Sequence, residues 1–130
     1  MPSLPADVVQ FARSYVRTLE DLDVFIVCVD HSDRWWDAIE LAKKVLISES
    51  AATRALDHFA KANLLDIRIS DAVHYRFHPG TDDLASRARM FTAAYHKNPV
   101  KLVTLIARSG ISDSVRDFAD AFRIKRNDNR

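Results

Sequence analysis

The sequence predicts a mainly α domain that carries one small β-hairpin, and three observations lead there. Helix breakers are scarce over the 130 residues: the only glycines are Gly80 and Gly110, and the prolines are Pro2, Pro5, Pro79 and Pro99. Apolar residues recur every three or four positions through most of the intervening stretches. That period gives way to strict alternation over two short runs, Leu65 to Ile69 and Val73 to Phe77. With 48% apolar and 28% charged residues, the chain can build one modest hydrophobic core and is too apolar to stay disordered. A single domain over residues 1–130 is expected.

The elements follow in order. Residues 5–34 read as N-terminal helices. Val8, Val9, Phe11, Ala12, Tyr15 and Val16 stripe the first, and Leu19, Leu22, Phe25, Ile26 and Val29 face one side of the second. The polar His31-Ser32-Asp33-Arg34 ends the second helix. Trp35-Trp36 is too short to form a secure strand alone, and both rings are expected to close one end of the core. Asp37 and Glu40 stand at capping-box spacing and open a third helix through Val45. After a Leu46-Ile47 turn, Ser48 caps a fourth helix to Ala62, whose Ala51, Ala52, Ala55, Leu56 and Phe59 should face inward. Glu49 suits its positive N-terminal end.

In the hairpin, Ile67, Ile69, Val73, Tyr75 and Phe77 belong to apolar faces, and Arg68, His74, Arg76 and His78 to the opposite one. Ser70-Asp71-Ala72 makes a tight turn without a basic residue, and Pro79-Gly80 closes the unit spanning 35–79. C-terminal helices are expected over 81–123. Leu84, Ala88, Phe91, Ala94 and Tyr95 line the first, and Asn98-Pro99 is an N-cap and N1 pair that opens the next through Ala107. Ser112 or Ser114 starts the last, with Val115, Phe118, Ala119 and Phe122. Residues 124–130 form a basic, frayed tail.

The net charge of +1 argues against strong nonspecific binding of polyanions. The lone cysteine, Cys28, lies within Val24-Phe25-Ile26-Val27-Cys28-Val29 and reads as a core residue, so no disulfide framework is available. With no signal peptide and no apolar run long enough for a bilayer, the cytoplasm is the expected compartment and no membrane association is expected. There are too few glycines for a phosphate-binding loop. His31, His58, His74, His78 and His96 lack metal-site spacing, and Ser109-Gly110 lacks a nucleophile elbow. No catalytic residue, metal or cofactor is expected, and the chain does not read as an enzyme.

Helix, turn, helix and hairpin between 35 and 79 is the order of parts in a winged helix-turn-helix. Trp36, Ala42, Val45, Ile47-Ser48, Ala51, Leu56, Phe59, Leu64-Leu65 and Tyr75-Arg76-Phe77-His78-Pro79 resemble the bacterial winged helix-turn-helix regulators, in the broad manner of the MarR and PadR groups. Val115-Arg116-Asp117-Phe118-Ala119-Asp120-Ala121-Phe122-Arg123 resembles the C-terminus of a small bacterial set built on the same module. Two positions depart from the regulators, which commonly have glycine where this chain has Leu46 and Asn63. Asn tolerates the left-handed conformation, whereas Leu does not, which predicts a remodelled turn.

The resemblance implies a DNA-binding transcriptional regulator that places the helix from Ser48 to Ala62 in the major groove. Ser50, Thr53 and Arg54 are then the base-reading candidates, and Lys43, Lys44, Lys61, Arg68 and Arg76 the phosphate contacts. The module itself is neutral: Lys43, Lys44, Arg54 and Lys61 are balanced by Asp37, Glu40, Glu49 and Asp57. A homodimer would double the available charge, with Phe91, Tyr95, Phe118 and Phe122 as its candidate pairing face. The bland alternative for the C-terminal helices is that they fold back and complete the monomer core. The alternative function is a protein-interaction module that keeps the winged-helix scaffold without binding DNA. Neutral charge, Glu49 and the acidic wing tip favour it, and the same aromatic face would then meet another protein.

Overall fold

The computed structural model describes residues 4–108. The elements are α1 (Ala6–Tyr15), α2 (Leu19–Asp30), α3 (Ala38–Val45), α4 (Glu49–Lys61), β1 (Leu65–Ile69), β2 (Val73–Phe77) and α5 (Asp82–Lys97). A further helix, α6, runs through residues 99–108. The expected helix from Ser112 or Ser114, Phe118, Phe122 and the basic tail lie outside the described residues.

Local chemistry starts each helix where the sequence places it. Thr18 caps α2 by accepting from the Asp21 N–H, and Thr81 caps α5 by accepting from Leu84. The capping box of α3 is complete: Asp37 accepts from the Glu40 N–H at 2.7 Å, and Glu40 accepts from the Asp37 N–H at 3.3 Å.

The core is built around α2, which is buried on more sides than a one-faced helix. Leu22, Val24, Phe25, Ile26, Cys28 and Val29 are all buried, whereas Leu19, expected on the inner face, is exposed in the first turn. Phe25 is the aromatic centre. Its ring lies 5.5 Å from Phe11 of α1, 5.1 Å from Phe59 of α4, 6.2 Å from Phe77 of β2 and 5.9 Å from Phe91 of α5. Burial without compensating charge pushes the Cys28 thiol up to about 12, as suits a core residue.

β1 and β2 pair antiparallel with Ile67 opposite Tyr75 and Arg68 opposite His74. Trp36 adds a third, one-residue strand: its N–H donates to the Tyr75 carbonyl at 2.7 Å, and the Tyr75 N–H donates back at 2.8 Å. Alternation then turns Trp36 into the core and Trp35 out of it. The expectation that both rings close the core therefore holds only for Trp36.

The turn between α3 and α4 is not remodelled. Leu46 itself takes the left-handed conformation, φ 62°, and Asn63 does so after α4, φ 68°. Residues 35–79 thus form a winged helix-turn-helix, with α1, α5 and α6 packed beside it.

Candidate nucleic-acid interface

α4 is held on two sides. Ala51, Ala52, Ala55, Leu56 and Phe59 are buried beneath it, as the apolar spacing requires. At its wing side the Tyr75 hydroxyl donates to Asp57 Oδ1 at 2.6 Å, and at the other the His58 Nε2–H donates to the Tyr15 carbonyl at 2.7 Å. Asp57 is half-buried and committed to the wing. Burial first, then the hydrogen bond to Asp57, pushes the Tyr75 phenol up to about 12.

The base-reading candidates come together on the outer surface of this helix. Glu49, Ser50, Thr53, Arg54 and Asp57 line one shallow depression. Ser50 and Arg54 are exposed and Thr53 is half-buried. Among the described residues Arg54 forms no ion pair. Ser50 is partly occupied by the cap, its hydroxyl lying 3.3 Å from that of Ser48. On the inner side, Arg54 also borders a cavity of about 270 Å³ with Arg17, Thr18, Glu20, Asp21, Ala51, Ala55 and His58. No group of three metal-ligating side chains occurs among the described residues.

The phosphate candidates fall in separate places. Lys43 and Lys44 are exposed in the last turn of α3, and Lys61 is exposed at the end of α4. Arg76, opposite Asp66, and Arg68, opposite His74 and nearer the turn, meet on a residue the sequence reading did not assign to the site. Their guanidinium carbons lie 4.5 and 4.6 Å from the centroid of the Trp35 ring. Strand alternation through Trp35-Trp36 carried the signal.

The outer half of the wing projects beyond the core. Ile67, Ile69 and Val73 are 46%, 77% and 41% exposed, so only Leu65, Tyr75 and Phe77 of the apolar face are buried. At the tip the Ser70 hydroxyl donates to Asp71, which holds that carboxyl below its ordinary range.

Of the expected pairing face, Phe118 and Phe122 lie outside the described residues, and Phe91 needs correction. Phe91 is fully buried, with its ring 4.9 Å from Phe11, so it completes the monomer core as the bland alternative had it. Tyr95 is half-buried against that core. Leu102 and Ile106 of α6 are buried too, while Val100 and Val103 remain exposed.

No protein-family model matches the sequence, and comparison with curated proteins gives no match. Solved structures do match. A MarR-family transcriptional regulator from Silicibacter pomeroyi superposes with a TM-score of 0.52 at 22% identity, covering 87% of this chain and 82% of its own. The YusO protein from Bacillus subtilis gives 0.51 at 14%, covering 88% and 83%. The adhesin competence repressor AdcR from Streptococcus pyogenes gives 0.50 at 16%, covering 89% and 87%. At these identities the shared property is the fold: this chain has the winged-helix architecture of MarR-type regulators.

Proposed function

We propose that the chain is a cytoplasmic, non-enzymatic DNA-binding transcriptional regulator that inserts α4 into the major groove. The observation that carries this reading is the outer face of α4, where Ser50, Thr53 and Arg54 line one depression together with Glu49 and Asp57, and Arg54 forms no ion pair among the described residues. Arg54 is the candidate for a bidentate contact to guanine O6 and N7, with Ser50 and Thr53 reading neighbouring edges. Lys43, Lys44, Lys61, Arg68 and Arg76 supply phosphate contacts on either side. Fluorescence anisotropy of labelled duplex from the region upstream of the protein's own gene, against a scrambled duplex over a salt series, tests it. Preferential binding that weakens steeply with salt is expected; absence of binding at low salt by folded protein removes the reading.

A near-neutral module needs a second copy to gather enough phosphate contacts, so the reading includes a homodimer with two α4 helices one turn of duplex apart. With Phe91 in the core, the accessible apolar positions of the C-terminal helices among the described residues include Tyr95, Val100 and Val103. Light scattering should give twice the 14.8 kDa chain mass; a monomer at high concentration contradicts this part.

One observation favours the protein-interaction alternative. The wing presents Ile67, Ile69 and Val73 to solvent, with the carboxylate of Asp71 at its tip where a groove-reading wing would place a cation. Under that alternative, Ile69→Ser abolishes partner capture, and duplex binding is missing from the start.

A further inference from the structure

We propose that Trp35 is a positioning residue that presents Arg68 and Arg76 as one paired guanidinium clamp for a phosphodiester of the DNA backbone. The inference rests on the DNA-binding reading and adds to it where the wing makes contact and what holds the contact in shape. The placement follows from the backbone. The mutual hydrogen bonds of Trp36 and Tyr75 fix Trp35 beside β2, turned out of the core. Arg76 follows Tyr75 and turns outward as well. Arg68 stands opposite His74, hence diagonal to Arg76 on the same face of the ladder. Both guanidinium groups reach the one indole, at 4.5 and 4.6 Å from its centroid.

What marks this as a binding arrangement is the missing counter-charge. Arg34 lies over the neighbouring Trp36 at 3.9 Å, and its charge is answered by Glu40 at 3.2 Å. Arg68 and Arg76 form no ion pair among the described residues, although Asp66 stands opposite Arg76 in the ladder. Two cations gathered at one ring repel each other until an anion bridges them. The ring engages the guanidinium groups and leaves N–H donors for a ligand, and the guanidinium fork matches the paired oxygens of a phosphate. Holding two long side chains on a ring also reduces the entropy lost when the anion arrives. The indole lies near the start of α3, beside Arg76, and Arg68 reaches it across β2 from its place opposite His74.

The test is anisotropy with the same labelled upstream duplex, using wild type, Trp35→Phe, Trp35→Ala, the Arg68→Ala/Arg76→Ala double variant and the triple variant. Trp35→Ala is expected to weaken binding about fivefold, with Trp35→Phe within about twofold of wild type, because phenylalanine keeps a cation-binding ring. The triple variant should bind no more weakly than the double, since Trp35 acts through the arginines. The double variant should lower the salt slope by roughly one to two relative to wild type. Trp35 lies outside the core, and circular dichroism checks each fold; Trp35→Leu replaces the alanine variant if that fails to fold. Trp35→Ala binding as wild type does, or the triple variant losing the full Trp35 factor beyond the double, overturns the clamp and leaves the DNA reading standing. No binding by wild type overturns both.

Discussion

Leu46 holds a left-handed conformation at φ 62° with its side chain 89% exposed, so it bears backbone strain and returns almost no burial. An L-residue in that region costs roughly 1–2 kcal/mol, of which part is recovered by glycine's greater unfolded entropy when the two are exchanged. Leu46→Gly is therefore expected to stabilise the protein by about 0.5–1 kcal/mol, read as a higher urea midpoint at unchanged slope. The second left-handed residue, Asn63, is coupled to Gly80. The Gly80 N–H donates to the Asn63 carbonyl at 3.0 Å, and a Cβ at Gly80 would overlap the Asn63 carboxamide. Gly80→Ala should cost no more than about 1 kcal/mol, because the atoms it meets are the far end of an exposed side chain that can turn aside. Adding Asn63→Gly keeps the backbone conformation, removes the obstructing side chain and should recover most of the loss; additive destabilisation in the double variant would contradict this account.

At the scale of elements, the hydrogen bond from Tyr75 to Asp57 joins the wing to α4 and fixes their relative position. Tyr75→Phe leaves the Asp57 carboxylate without that donor and should cost about 1.5–3 kcal/mol by urea denaturation. The phenol also gives a pH signature. Its folded value is raised from 10.0 to about 12, so the stabilisation is present below pH 10 and is lost as pH rises through 12. Wild type should lose stability across that window, and Tyr75→Phe should lack this component; parallel profiles would remove the assignment. Caps and periods were legible in the sequence because they are local: Asp37 with Glu40, Ser48, and the alternation in both strands each involve residues within a few positions. Contacts across the fold were not. Nothing near Asp57 in sequence shows that Tyr75 will reach it. Likewise, the stripe holding Phe91 and Tyr95 reads the same whether it covers its own core or a partner. Trp35 lay between: alternation with Trp36 sends it outward, but its place beside Arg68 requires the register of the hairpin.

For the whole molecule, one core centred on Phe25 joins α1, α2, α4, α5 and the wing, so the proposed reading face of α4 is carried on the same core as the rest of the described chain. The near-neutral charge leaves little long-range attraction to DNA, so the proposed function requires a few placed side chains and a second copy to supply specificity and phosphate contacts. The most direct test of major-groove insertion is dimethyl sulfate protection on the bound upstream duplex, which reads guanine N7 in the major groove and adenine N3 in the minor groove. Insertion of α4 by a homodimer should protect guanine N7 positions in two patches about one helical turn apart, with one protection in each patch lost on Arg54→Ala. Binding that leaves every guanine N7 reactive, or a pattern unchanged by Arg54→Ala, would contradict it.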